Sequence, residues 1–277
     1  MLKDITLGQF FPADSLFHKA DPRSKILITI LYIVFVFLAN NVLSMAVMVV
    51  SLFVFMLMTR VPLKIYLKNV KTILPIIIFT AVINIFYVDR GMTLVHWGFI
   101  RITTGGLSQS AFIAVRIVLL VLASALLTYT TTPTALTDAI ELLLSPLGYI
   151  GLKTAVHTMA MMMTIALRFI PTLIEETEKI MSAQKARGAD MESGGLLKRI
   201  RAMLPILIPL LISSFRRAYE LAEAMESRCY NGGKGRSRMK RLHFGGRDWL
   251  LLGSVVLLCA GVIGLNVLYA ALPVLGG

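Results

Sequence analysis

Two stretches of the chain are alike: residues 171–188 read PTLIEETEKIMSAQKARG, and residues 209–229 read PLLISSFRRAYELAEAMESRC. Each opens on proline, and each closes on an arginine tripeptide, Ala186-Arg187-Gly188 or Ser227-Arg228-Cys229. These patterns predict two long helices with an arginine in the last turn of each. Because the two arginines lie 41 residues apart at the ends of similar helices, we expect a pair of equivalent docking points for a two-part partner.

The composition is that of an integral membrane protein. The 277 residues are 57% hydrophobic, and the mean hydropathy of +0.78 exceeds the usual range for soluble domains. The formal charge of +13 comes from cations that lie beside apolar runs, where the positive-inside rule accounts for them. We therefore expect the lipid bilayer as a partner and no nucleic acid.

Five apolar runs predict transmembrane helices, because about 20 residues cross a bilayer core. They cover residues 26–39, 42–58, 73–88, 107–131 and 249–274. The predicted fold class is an all-α integral membrane protein with about five transmembrane helices and three long or interfacial cytoplasmic coupling helices. The predicted parts are a membrane region with four spans at 1–131, a coupling-helix region at 132–247, and the last span with the C-terminus at 248–277.

Proline and glycine signals divide the coupling region into helices at residues 134–144, 152–187 and 196–228. With five crossings, 25 of the 28 Lys and Arg residues fall on one side, which predicts a cytoplasmic N-terminus and an external C-terminus. Residues 154–170 and 203–215 are also apolar enough to suggest spans, so seven crossings remain the alternative. In the five-crossing interpretation these two stretches lie at the inner membrane surface.

Several classes of function lack the residues they need. The interiors of the five predicted spans contain no acidic residue, which argues against an ion-driven carrier. The four histidines are scattered without ligand spacing, and no Walker pattern occurs, so we expect no metal, no cofactor and no catalysis. A self-contained channel or carrier is the alternative function, with Arg116 and Asn84 lining its path. Arg116 within a span has an open role, either in a partner interface or reaching toward the outer surface.

The chain resembles the transmembrane T component of energy-coupling factor (ECF) ABC transporters. One part of the resemblance is the entry stretch from Gly8 to Lys25, GQFFPADSLFHKADPRSK, which is similar to the family pattern Gly-x-x-x-Pro-x-x-Ser…His-x-x-Asp-Pro-Arg-x-Lys. The other part is the pair of arginine tripeptides. The first is an Ala-Arg-Gly, whereas the second departs from it in Ser227 and Cys229.

The resemblance implies a multi-pass protein of a prokaryotic cell membrane that joins two cytoplasmic ABC ATPases to a substrate-binding membrane subunit, the S component. ATP would be bound by the ATPases, and the micronutrient cargo, a vitamin or a metal ion, by the S component. Arg187 and Arg228 would each dock on one ATPase, identical or different. The apolar faces of the two helices would contact the S component, or lipid, through Met159, Met162, Met163, Leu207 and Leu211. A cation in a last helical turn also caps its own helix, and this structural role is the alternative for both arginines.

Overall fold

The computed structural model describes residues 9–87, 92–97, 100–189, 195–232 and 242–271. In that part of the chain, helices form almost all of the regular structure, and the predicted all-α membrane class is confirmed. The elements in chain order are α1 (Leu16–Lys19), α2 (Pro22–Leu38), α3 (Val42–Thr59), α4 (Leu63–Tyr87), β1 (Thr93–Trp97), β2 (Ile100–Thr103), α5 (Thr104–Thr130), α6 (Pro133–Leu143), a 3₁₀ turn (Ser145–Ile150), α7 (Lys153–Ala186), α8 (Leu196–Ser227) and α9 (Gly246–Ala271).

Some predicted features lie outside the described residues. These are Gly8 of the entry stretch, the end of the third apolar run at residue 88, the turn at 193–194, most of the basic loop at 233–241, and the chain after residue 271.

The strands β1 and β2 were not predicted. They form an antiparallel pair between α4 and α5, with Val95 opposite Ile102 and His96 opposite Arg101. The pair is rich in the β-branched residues Thr, Val and Ile, which favour a strand over a helix. The hairpin is short and lies outside the predicted spans, so the all-α class stands.

Six helices within the described residues are long and apolar enough to cross a membrane: α3, α4, α5, α7, α8 and α9. Helix α2 has 17 residues and is therefore about 25 Å long, somewhat less than a bilayer core. The predicted five crossings include α2 and leave out α7 and α8. Length and composition alone do not choose between the two interpretations, and the number of crossings stays a prediction.

The chain divides into two compact units. One contains residues 9–132 together with 242–271, and the other contains the described residues between 133 and 232. The predicted boundaries at residues 131 and 247 separate segments by role: a membrane region, a coupling-helix region and a last span. These roles remain predictions. The first unit is called the membrane unit below, and the second the helix-pair unit.

The core of the membrane unit is built by α2, α3, α5 and α9. Its buried side chains include Tyr32, Met48, Leu119 and Val255, one from each of these helices. Helix α4 packs on α5 and leaves most of its apolar side chains exposed. An exposed apolar surface of this kind suits contact with lipid, because lipid tails are as apolar as these side chains.

Asp248 joins the first turns of α2 and α9 through three hydrogen bonds. Its carboxylate accepts the backbone N–H of Asp21 at 2.7 Å, the hydroxyl of Ser24 at 2.8 Å and the backbone N–H of Gly245 at 2.8 Å. Asp248 and Ser24 are buried. A carboxylate at the N-terminus of a helix is stabilised by the free backbone N–H groups and by the helix dipole. One buried side chain therefore holds the beginnings of two helices together.

The end of α5 is held by the entry stretch. The ammonium group of Lys25 donates to the carbonyl of Thr130 at 2.8 Å, and the N–H of Phe11 donates to the carbonyl of Tyr129 at 3.0 Å. Both carbonyls belong to the last turn, where helix hydrogen bonding leaves them free. His18 is part of the same stretch, and burial lowers its pKa below the ordinary value. Its neutral ring donates from Nε2 to the carbonyl of Phe11 and accepts the Ser15 hydroxyl at Nδ1.

Arg116 and Asn266 satisfy the opposite end of α2. The Arg116 guanidinium donates to the carbonyl of Ala39 at 2.9 Å, and the Asn266 amide donates to the carbonyl of Leu38 at 2.8 Å. The Asn266 oxygen also accepts from Asn41, the N-cap of α3, and from Ser44 in the first turn of that helix. A cation is favoured at a helix C-terminus. The structure thus gives Arg116 a capping contact within the membrane unit.

Replacing Asp248 by alanine is expected to lower the free energy of unfolding by roughly 2–4 kcal/mol, because three donors lose a buried charged acceptor. Asp248→Asn keeps one carbonyl oxygen and should lose an intermediate amount. Thermal unfolding of the detergent-solubilised chain measures the change. The exposed Glu223→Ala variant is the control and should be nearly neutral. Equal losses in the alanine variants of Asp248 and Glu223 would contradict this account.

Candidate functional site

Helices α7 and α8 of the helix-pair unit lie side by side and run in opposite directions. Near the end of α7, the Gln184 amide donates to the carbonyl of Pro205 at 3.5 Å. Near its beginning, the Met161 sulfur accepts the Tyr230 hydroxyl at 2.9 Å. Early residues of each helix therefore meet late residues of the other. The two helices, called the helix pair below, continue through Pro171, Pro205 and Pro209.

An ion pair connects the two helices between these contacts. The Glu176 carboxylate accepts a hydrogen bond from Arg217 Nη2 at 2.7 Å, and its other oxygen accepts the hydroxyl of Ser213. Ser213 and Arg217 are four residues apart on α8 and so lie on the same face of the helix. Both carboxylate oxygens of Glu176 are thus satisfied by α8. The two charged side chains are partly exposed, which limits the contribution of the pair to stability.

The ion pair lies midway between the two predicted docking arginines. Glu176 precedes Arg187 by 11 residues, and Arg217 precedes Arg228 by the same number. At 1.5 Å per residue, each arginine is about 16 Å from the ion pair along its own helix. Because the helices are antiparallel, the arginines lie at opposite ends of the helix pair, roughly 33 Å apart. The two halves are related by an approximate local twofold axis through the Glu176–Arg217 contact.

Arg187 is the C-cap of α7. Gly188 follows it with φ of +84°, in the left-handed region. The Gly188 N–H donates to the carbonyl of Lys185 and the Ala189 N–H to the carbonyl of Gln184, both at 3.0 Å. This is a Schellman motif, which satisfies the free carbonyls at a helix end. The predicted helix end at residue 187 thus lies where a capping motif closes the helix.

Arg228 ends α8 with the same backbone geometry. Cys229 occupies the position equivalent to Gly188, with φ of +54°. Its N–H donates to the carbonyl of Glu226 at 2.8 Å, and the Tyr230 N–H donates to the carbonyl of Met225 at 3.0 Å. The departure of the second tripeptide from Ala-Arg-Gly therefore leaves the backbone motif unchanged. It leaves a side chain in a conformation that usually takes glycine.

Both predicted docking tripeptides are exposed to solvent. Neither the Arg187 nor the Arg228 guanidinium forms a hydrogen bond or ion pair with any residue that the structure describes. Each arginine caps its helix through the position of its backbone. The guanidinium groups are therefore available to a partner, and their five donors suit a carboxylate or a set of carbonyl groups.

The five residues predicted to contact an S component are also exposed, but they lie in two places. Met159, Met162 and Met163 lie near the beginning of α7, beside the end of α8 that carries Arg228. Leu207 and Leu211 lie near the end of α7, beside Arg187. The structure brings the three methionines together and the two leucines together, with about 30 Å between the groups along the helix pair.

The sequence patterns did not point to Glu176, Ser213 or Arg217. The spacing could have revealed the ion pair, because Glu176 and Arg217 are 41 residues apart, as are Arg187 and Arg228. Opposite charges at equivalent positions of two similar helices suit an antiparallel pair. Within the residues searched, the structure contains no group of three His, Cys, Asp or Glu side chains arranged to hold a metal ion.

Comparison of the chain with a family model and comparison with individual proteins agree with each other. The model of the CbiQ family, described as cobalt transport protein, matches residues 13–240. An energy-coupling factor transporter transmembrane protein EcfT from Acidaminococcus fermentans is 51% identical over 257 residues, which cover 93% of this chain and 94% of that protein. EcfT from Ruminiclostridium cellulolyticum is 49% identical, covering 95% and 97%. EcfT from Bacillus subtilis is 44% identical, covering 94% and 97%.

The two capping motifs predict substitutions with opposite effects. Gly188→Ala should weaken the end of α7 by about 1 kcal/mol, because a Cβ is disfavoured at positive φ. Among the described residues, no neighbour lies within 4 Å of that Cβ, so the backbone conformation decides the cost. Cys229→Gly should strengthen the end of α8 by roughly 0.5 kcal/mol, and Cys229→Ala should be neutral.

Amide hydrogen exchange of peptides covering the two helix ends measures these effects. Gly188→Ala should accelerate exchange about fivefold at its own helix end, and Cys229→Gly should slow exchange at the other. A change of the same sign in both variants would contradict the equivalence of the two motifs.

Proposed function

Because the chain belongs to the CbiQ family of cobalt transport proteins and is a multi-pass transmembrane component of an ECF transporter, we propose that it transmits force between two ABC ATPases and an S component. In this proposal it catalyses no reaction. ATP is bound by the ATPases, and the vitamin or metal ion is bound by the S component. The observation that carries the proposal is the symmetric placement of two exposed, similarly capped arginines about the Glu176–Arg217 ion pair.

Two docking points about 33 Å apart and related by a local twofold axis suit a partner that is itself a pair of similar subunits. Each arginine can enter a pocket on one ATPase and form charge-assisted hydrogen bonds there. The short neighbouring side chains of Ala186, Gly188 and Ser227 leave space for such a pocket to close. The two helix ends share one backbone motif and differ at Gly188 and Cys229 only in the side chain. The helix pair can therefore dock on two identical ATPases or on two different ones.

The helix pair also supports its predicted position at the inner membrane surface. The apolar stretch of α7 at residues 154–170 and that of α8 at 203–215 lie on opposite sides of the ion pair. Their centres are therefore displaced by roughly 30 Å along the helix axes, which is the thickness of a bilayer core. Two helices that cross a membrane together need their apolar stretches at the same depth. Lying along the surface requires no such alignment.

We therefore propose five crossings, formed by α2, α3, α4, α5 and α9, with the N-terminus in the cytoplasm and the C-terminus outside. The hydrogen bonds at the two ends of α2 support its assignment as a span, because they satisfy backbone groups that a bilayer leaves without partners. The excess of Lys and Arg on the inner side supports the orientation.

The alternative function, a self-contained channel or carrier, gains no support from the described residues. The Arg116 guanidinium is engaged by the carbonyl that ends α2. The Asn84 amide donates to the carbonyl of Thr80 in its own helix at 2.8 Å. The two side chains assigned to a transport path thus serve helix ends and helix backbone.

Replacing both arginines is expected to reduce recovery of the ATPases. In the Arg187→Ala, Arg228→Ala double variant, co-purification from detergent should fall at least tenfold, and each single variant should lose part of the binding. The Arg168→Ala and Arg216→Ala variants are matched controls, because they remove exposed arginines from the same two helices. Full recovery of ATPases with the double variant, or transport by this chain reconstituted alone, would overturn the proposed function.

The ion pair is expected to control coupling and not docking. Glu176→Arg or Arg217→Glu places like charges at the crossing point, so the two helices no longer move as one body. We expect ATPase binding to remain, ATP hydrolysis to continue and uptake to fall at least fivefold. Combining the two substitutions restores opposite charges and should restore most of the uptake.

The chain offers neighbouring controls for this experiment. Glu175→Arg and Arg216→Glu change the same residue types one position earlier, where the side chains are exposed. They should leave uptake within twofold of the original chain. If the charge-swapped double variant transports no better than the single variants, the ion pair does not couple the helices.

A further inference from the structure

Three cationic side chains from separate elements of the membrane unit meet around one cavity of about 490 Å³. Lys19 ends α1, Arg60 follows α3, and Arg247 lies in the first turn of α9. The residues that line the cavity include one carboxylate, Asp14, which pairs with Lys19 at 3.2 Å. We call this space the basic cavity. It uses none of the docking residues of the helix pair.

Among the described residues that line the basic cavity, three are cations and one is a carboxylate. In the part of the chain that the structure describes, the guanidinium groups of Arg60 and Arg247 form no hydrogen bond or ion pair. Arg247 lies at a helix N-terminus, where the dipole disfavours a cation. Arg60 has φ of +56°, a conformation that is unusual for a residue other than glycine. The excess of positive charge and the position of Arg247 are unfavourable by themselves, and an anion bound among the three cations would offset both.

The wall of the basic cavity also indicates what kind of anion fits. Leu57 and Met58, in the last turn of α3, line the cavity together with Leu16. Their side chains are exposed, as are those of Phe53 and Val54 one turn earlier on α3. Since α3 is apolar enough to span a membrane, this surface leads from the cavity toward the hydrocarbon. A ligand that fills the site therefore has an anionic group beside an apolar chain.

We propose that the basic cavity binds the headgroup phosphate of an anionic glycerophospholipid. Arg60 and Arg247 contact the phosphate oxygens, Lys19 adds a third charge, and the first carbons of an acyl chain lie on Leu57 and Met58. Guanidinium groups suit phosphate because they donate two parallel hydrogen bonds. The cavity lies where α3 ends and α9 begins, which is the depth of lipid headgroups. Basic pockets at this depth are a known means of retaining anionic lipids.

Native mass spectrometry of the full chain in its purified complex tests the proposal. Phosphatidylglycerol should remain bound at detergent concentrations that remove phosphatidylcholine. Arg60→Gly and Arg247→Gln should each weaken retention of phosphatidylglycerol about fivefold. Asp14→Asn should strengthen it, because this change removes the carboxylate that competes for Lys19. Arg60→Gly also suits the positive φ, so loss of folding does not obscure the result.

Matched controls separate this site from general attraction to a negative membrane. Lys64→Gln and Lys68→Gln remove exposed cations from the first turns of α4, outside the cavity. These variants should retain phosphatidylglycerol like the original chain. Equal weakening by the cavity and control variants would overturn the proposal, since attraction would then be diffuse.

Two further measurements distinguish a bound lipid from other ligands of the basic cavity. Inorganic phosphate should not compete with phosphatidylglycerol at equal concentration, and full competition would show a site for the free anion. If Arg60→Gly and Arg247→Gln reduce recovery of the ATPases while lipid retention is unchanged, the cavity is a protein contact. Either result overturns the lipid assignment. The experiment is independent of the docking arginines, so its failure leaves the proposed function untouched.

Discussion

The antiparallel contact between α7 and α8 is the constraint from which the functional geometry follows. Because the Glu176 carboxylate binds Ser213 and Arg217 on one face of α8, the two helices meet at equivalent points of their sequences. Equal numbers of residues then separate the contact from Arg187 and Arg228. If the helices were parallel, the two arginines would lie close together. The antiparallel arrangement places them at opposite ends and makes two separate docking points possible.

The membrane unit solves a different problem, that of helix ends near a bilayer. Each helix leaves backbone N–H or carbonyl groups free at its ends, and lipid provides no partner for them. Asp248 satisfies two helix beginnings, whereas Lys25 and Arg116 satisfy the ends of α5 and α2. In every case the charge of the side chain complements the helix dipole. These three charged side chains thus serve the backbone of the bundle.

Local signals explain how much could be predicted from the sequence. Predicted helices at residues 134–144, 152–187 and 196–228 agree within one residue with α6, α7 and α8, because proline, glycine and changes of hydropathy mark helix ends locally. Contacts between distant residues gave no such signal. The pairing of Glu176 with Arg217 depends on the direction of two helices, and the three cations of the basic cavity come from separate parts of the chain. The β1–β2 hairpin was not predicted, because its β-branched residues form two short segments between longer apolar runs.

The diagonal arrangement of the helix pair has a mechanical consequence. Each end combines the proposed docking arginine of one helix with the apolar stretch of the other, and the contact of Tyr230 with Met161 is one example. A force applied at Arg228 therefore acts beside the methionines of α7, and a force at Arg187 acts beside Leu207 and Leu211 of α8. Opposite forces at the two ends turn the pair about the Glu176–Arg217 contact. The apolar stretches, which lie on opposite sides of that contact, then move in opposite directions, and in the proposed position of the pair this motion runs along the membrane surface.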